Sequence, residues 1–129
     1  MVNSGQWTVN RKNQPQKTMR VVNLKEGMPL VREAMSRMQS ELRRAQNEGV
    51  KIVKFVHGYG STGVGGEIRI AVQNGLMKRL GQGEVKAVIF GEDWRISNEC
   101  TWELLKKMPE LKQDSDLGRE NRGITIVVL

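Results

Sequence analysis

The glycine-rich stretch at residues 57–69, HGYGSTGVGGEIR, constrains the fold of this chain more than any other feature. The preceding residues 50–56 form a short apolar, β-branched run, which predicts a buried strand. Beyond the stretch, apolar residues recur every three to four positions from Ile68 to Leu80, which predicts one face of a helix. The sequence therefore predicts a strand, a loop rich in glycine and a helix, in that order.

Such a loop is suited to binding phosphate, because its backbone N–H groups and the positive end of the helix dipole can face an anion. An arginine near the start of the helix would add a positive charge. The candidate phosphate-binding residues are Gly58, Tyr59, Gly60, Ser61, Thr62, Gly63 and Arg69. The alternative is a tight turn, in which the glycines serve only for positive φ angles and close packing.

The rest of the chain predicts one domain at residues 19–129, preceded by a flexible basic arm at residues 1–18. Short connections between the elements favour crossover units. We therefore expect an α/β fold, a compact βαβαβ(α)β two-layer sandwich with a mixed, mostly parallel four-stranded sheet. The further elements expected are strands near residues 19–24, 85–90 and 124–129, an amphipathic helix at 31–45, and a helix near 98–108 with an apolar side formed by Trp102, Leu105 and Met108.

The composition favours an anionic partner, and nucleic acid is the commonest kind. The chain carries 21 basic and 14 acidic residues, a formal charge of +7. An unpaired Cys100 cannot form an internal disulfide, and no apolar run is long enough to span a bilayer. We therefore expect a cytoplasmic protein that does not bind membranes and is a monomer or a weak homodimer.

The order of these motifs resembles the small MutS-related (Smr) domain found in MutS2-type proteins. In that family a first strand ends in Leu-Asp-Leu-His or Leu-Asp-Leu-Arg before a glycine, and a second strand leads into a His-Gly-x-Gly loop. The chain has His57-Gly58-Tyr59-Gly60 at the loop, and its last strand, Gly123 to Leu129, also fits the pattern. The first signature departs from it, with Asn23 in place of the aspartate and Lys25 in place of the histidine or arginine.

The resemblance implies a DNA- or RNA-binding domain and, as in some members, an endonuclease. Its site would combine His57 as acid or base, Glu67 as a further base, and Asn23 and Lys25 at the end of the first strand, with Mg²⁺ as a cofactor if the protein is a nuclease. Asn23 cannot act as a base or bind metal as a carboxylate does, which argues against hydrolysis.

Two alternatives belong to other functional classes. The spacing Gly58-x-Gly60-x-x-Gly63 matches the fingerprint of nucleotide-binding enzymes, and Glu84 follows about twenty residues later. However, Glu84 precedes the third predicted strand, whereas the acid that binds ribose should follow it. A module that binds only other proteins is the second alternative, and it leaves the basic charge unexplained.

Overall fold

The computed structural model describes residues 18–60 and 63–129. The α/β fold and the expected order of elements are confirmed. The elements are β1 (Met19–Asn23), α1 (Val31–Asn47), β2 (Ile52–Val56), α2 (Gly63–Gly81), β3 (Ala87–Phe90), α3 (Glu99–Lys107) and β4 (Ile124–Val128), with short 3₁₀ turns at Gly91–Asp93 and Pro109–Gln113.

The four strands form one mixed sheet in the order β1-β2-β4-β3. The pair β1–β2 is parallel, whereas β4 runs antiparallel to both of its neighbours, so the expectation of a mostly parallel sheet is wrong. The reason is the route of residues 91–123, which leave the sheet at the end of β3. They return at the same edge, where Phe90 pairs with Thr125 and Val56 pairs with Ile124. A strand that begins at that edge must run opposite to the one that ended there.

One face of the sheet packs against α1 and α2, and this helix layer on a sheet is the two-layer arrangement expected from the sequence. The predicted amphipathic character of α1 is confirmed, because the apolar residues Met38, Leu42 and Ala45, spaced three to four positions apart, are all buried. Full burial of such a side chain stabilises the fold by about 1.5–3 kcal/mol. The buried residues of this layer are Val22, Leu24, Ala34, Met38, Leu42, Ala45, Val50, Val53, Phe55, Ile68, Val72, Leu76, Val85 and Val127.

The opposite face of the sheet is covered by residues 91–117, which include α3. Trp94, rather than Trp102, fills this second cluster and is fully buried. Trp102 is 40% exposed, because the inward side of α3 is occupied by Leu104 and Leu105. The apolar side predicted for this helix is therefore buried at Leu105 and partly exposed at Trp102.

Lys54 is buried in the middle of β2 on this second face. Its ammonium group lies 2.7 Å from Asp114 Oδ1 and 2.6 Å from Asp116 Oδ2. The indole Nε1 of Trp94 donates a hydrogen bond to Asp114 Oδ2 at 2.9 Å. Burial disfavours the ionised form of Asp116, but hydrogen bonds from Lys54 and Asn121 outweigh it and hold the pKa of this carboxyl below its ordinary value. The loop that contains Asp114 and Asp116 is thus fixed to the sheet.

The predicted N-terminal arm lies, up to residue 17, outside the described residues. Thr18, its last residue, belongs to the folded part, since its carbonyl accepts a hydrogen bond from the Ile52 amide at 3.0 Å. Within the described residues, no helix combines the length and apolar character needed to cross a bilayer.

Candidate functional site

The candidate site lies at the edge of the sheet where β1, β2 and β3 end and β4 begins. Parallel strands place their carboxyl ends at one edge, where α/β proteins commonly bind ligands. Four segments meet there: residues 23–27 after β1, residues 57–60 after β2, residues 91–93 after β3, and residues 121–123 before β4. The glycine loop and α2 complete the edge.

The first residues of the glycine loop pack closely against the backbone that precedes β4. The amides of His57 and Gly58 both donate to the Gly123 carbonyl, at 2.9 and 3.0 Å. Gly58 has a φ of +78°, which favours glycine. A Cβ at Gly123 would lie 3.3 Å from the Gly58 backbone. These two amides therefore serve the fold and do not face a ligand, in contrast to the sequence-based expectation for the loop.

His57 is buried, and both of its ring nitrogens are hydrogen-bonded within the protein. Its Nδ1 lies 2.8 Å from the Gly58 carbonyl, which can only accept, so Nδ1 carries the proton. Its Nε2, 2.8 Å from Thr125 Oγ1, must then accept from that hydroxyl, to which Gln73 donates at 3.2 Å. Burial lowers the pKa of His57; the bond to the Gly58 carbonyl opposes this, and the charge of Arg69 acts with burial. The ring is a neutral structural group with no nitrogen free for a substrate.

Two other residues expected to take part in hydrolysis, Asn23 and Glu67, have different surroundings. The side-chain oxygen of Asn23 accepts a hydrogen bond from the Lys25 amide at 2.9 Å, which closes the turn after β1. Glu67 is exposed on α2. Nowhere in residues 18–60 and 63–129 do three or more His, Cys, Asp or Glu side chains form a group that could hold a metal ion.

Three positive side chains gather around Tyr59 and Gly58 instead. The guanidinium carbon of Arg69 lies 4.7 Å from the centroid of the Tyr59 ring, and that of Arg122 lies 5.9 Å from it. Both distances allow a cation–π interaction. Lys25 is close as well, since its Cδ is 3.2 Å from the position that a Cβ on Gly58 would occupy. We call Lys25, Tyr59, Arg69 and Arg122 the Arg–Tyr cluster.

The Arg–Tyr cluster is exposed and charged. Tyr59 keeps 51% of its surface in solvent, and both Lys25 and Arg122 are exposed. Arg122 is cationic at physiological pH, and its interaction with Tyr59 raises its pKa further. The Nε of Arg69 is buried and has no hydrogen-bond partner in the part of the chain that the structure describes.

The backbone that carries Arg122 is held firmly. Asn121 donates from Nδ2 to Asp116 at 3.0 Å and accepts from the Gly123 amide at 2.9 Å. Through Asp116 this links the site to the buried Lys54. The Asn121 carbonyl also lies so close to Gly91 that a Cβ there would approach it to 1.7 Å. The Arg122 side chain is therefore presented from a fixed support.

Sequence reasoning did not single out Arg122. The signal that could have found it is its position directly before Gly123 and β4. Of the other candidate phosphate-binding residues, Ser61 and Thr62 lie outside the described residues, and Gly63 begins α2. Gly60 lies at the edge beside Tyr59.

The arrangement is unlike a dinucleotide site. In that fold the strand before the glycine loop and the strand after the following helix are neighbours. Here β4 separates β2 from β3. Glu84 precedes β3, and its amide donates to the Arg79 carbonyl at the end of α2, so it lies at the opposite edge from the glycine loop.

Comparisons with known proteins do not assign the chain to a family: no family model, no curated protein and no solved structure matches it.

Proposed function

We propose that this protein binds nucleic acid through the Arg–Tyr cluster, chiefly by contacts to phosphates. The observation that carries the proposal is the meeting of Arg69 and Arg122 around the exposed ring of Tyr59. These two arginines and Lys25 come from three separate segments of the chain, so their proximity is a product of the fold. Guanidinium groups bind phosphate in bidentate fashion, which makes arginine the residue of choice for nucleic-acid backbones.

The charge balance supports a polyanion as the ligand. The chain has a formal charge of +7, and such a surplus favours association with a phosphodiester strand. Carboxylates lie near the site as well: Glu92 acts to raise the pKa of both His57 and Arg122, and Glu120 acts on Arg122. The similarity in motif order to Smr domains points the same way.

The proposal is confined to binding. A phosphodiesterase needs a base or a metal ion to activate water, and a proton donor for the leaving oxygen. His57 is buried with both nitrogens occupied, and Asn23 uses its side-chain oxygen in a turn. Neither group is available for these steps in the geometry described above.

The experiment compares two double variants of equal net charge. Arg69→Gln/Arg122→Gln removes two cations of the cluster, and Arg37→Gln/Arg43→Gln removes two exposed cations from α1 as the matched control. Affinity for a fluorescent single-stranded oligonucleotide is measured by anisotropy over a series of salt concentrations. For a single strand, the slope of log K against log salt is about −0.7 for each phosphate contacted.

We expect the cluster variant to lose at least about tenfold in affinity and to have a slope less steep by about 1.4. The control variant should keep the wild-type slope and most of the affinity. Equal losses in the two variants would mean that the binding follows total charge, and the proposal would be wrong.

A further inference from the structure

Tyr59 is half-exposed in the candidate site, and the guanidinium groups of Arg69 and Arg122 lie over its ring. It is flanked in sequence by Gly58 and Gly60, which have no side chains that could cover the ring. Aromatic residues make up only 5% of this chain, and half of the surface of this one is exposed to solvent. A half-exposed aromatic ring with two guanidinium groups over it combines a surface on which a base can stack with cations that can bind the neighbouring phosphates.

An exposed tyrosine ring such as that of Tyr59 would interact differently with paired and unpaired nucleic acid. In a duplex each base face is covered by its neighbours, so an exposed tyrosine finds no base to stack on. In an unpaired strand a base can turn out and lie against the ring. The flanking phosphates then come within reach of the guanidinium groups of Arg69 and Arg122, which already lie next to the ring.

We infer that the ligand of this site is an unpaired nucleic-acid segment, with one base stacked on Tyr59 and its neighbouring phosphates on Arg69 and Arg122. The inference rests on the proposed function and adds the class of ligand to it. Stacking on an aromatic side chain is largely independent of base identity. The site therefore selects single-stranded regions and does not read their sequence.

The test uses three DNA probes of equal length: a single strand, the same strand with its inner positions abasic, and a blunt duplex. The abasic strand keeps the phosphates and removes the bases, so it isolates the stacking contribution. The wild type should bind the complete strand about 5- to 100-fold more tightly than the abasic one. An RNA single strand, measured in parallel, shows which sugar the site prefers.

Two substitutions test whether the preference for the complete strand over the abasic strand comes from the aromatic ring of Tyr59. Tyr59→Phe keeps the aromatic face and should keep the preference for the complete strand. Tyr59→Leu keeps apolar bulk without the face, and it should bind the complete and abasic strands equally. Because Tyr59 is exposed, both variants should keep the wild-type thermal unfolding transition.

Several outcomes would overturn the inference. These are equal binding of the two strands by the wild type, tighter binding of the duplex, or a preference that survives in Tyr59→Leu. If the Arg69→Gln/Arg122→Gln variant still lost affinity for both strands, the proposed function would stand without the stacked base. If the wild type bound none of the probes, both proposals would fall.

Discussion

Lys54→Met removes the ammonium group between Asp114 and Asp116 and keeps a side chain of similar length. In the wild type this group lies 2.7 and 2.6 Å from the two carboxylates, and only 5% of the Lys54 side chain is exposed. Without it, two carboxylates remain close together where water is scarce, which disfavours their ionised forms. Removing one partner of a buried ion pair costs about 3–5 kcal/mol.

The loss for Lys54→Met should lie near the lower end, about 3 kcal/mol. Asp114 keeps the hydrogen bond from Trp94, and the Asp116 side chain is 23% exposed, so each carboxylate keeps some compensation. Urea unfolding followed by tryptophan fluorescence measures this loss. With a slope of about 1–3 kcal/mol per molar urea, the midpoint should fall by about 1–3 M.

The pH dependence provides an independent check. In the variant, protonation of one of the two carboxyl groups removes their mutual repulsion. The loss of unfolding free energy relative to the wild type should therefore become smaller as the pH falls from 7 to 5. In the wild type the pKa of Asp116 is lowered from 3.8, so its contribution is present at both pH values and is lost only at lower pH. Lys51→Met, at an exposed lysine next to the same strand, is the control and should change stability by less than about 0.5 kcal/mol. A loss below about 1 kcal/mol, or an equal deficit at both pH values, would refute the reasoning.

Two further predictions concern the support of the site. Burial lowers the pKa of His57 from 6.5, so the unfolded chain takes up a proton below about pH 6.5 that the folded protein does not. The wild type should therefore lose stability from pH 7 to pH 5 in thermal unfolding, and His57→Gln should lose less over that range; parallel curves would contradict this. Gly91→Ala places a Cβ 1.7 Å from the Asn121 carbonyl and should cost about 3 kcal/mol in urea unfolding. Gly81→Ala, whose Cβ meets nothing within 4 Å, should be neutral or stabilising, and equal effects of the two alanines would contradict the close contact.

The helices and strands could be predicted from the sequence where they depend on the local spacing of apolar residues. The spacing of Met38, Leu42 and Ala45 determines a buried helix stripe in any α/β arrangement, and it is buried here. The position of β4 could not be predicted, because it depends on how residues 91–123 close over the second face of the sheet. Its β-branched sequence indicates a strand but says nothing about direction or neighbours.

The site was predictable only in part, for the same reason. The glycine loop and Arg69 are near each other in sequence, whereas Arg122 reaches them through the contact of Gly123 with Gly58. The burial of His57 also follows from that long-range contact. Lys54 is different, because a lysine within an apolar strand is a visible signal that a carboxylate must pair with it.

The most direct test of the account is an NMR titration of the ¹⁵N-labelled protein with an unlabelled single-stranded oligonucleotide. We predict that the largest shifts fall on the backbone amides of Tyr59 and Gly60 and on the guanidinium signals of Arg69 and Arg122. The amides of His57 and Gly58, which are bonded to the Gly123 carbonyl, should shift less. Shifts confined to α1, or to the edge of the sheet opposite the glycine loop, would contradict the claim that the Arg–Tyr cluster binds the ligand.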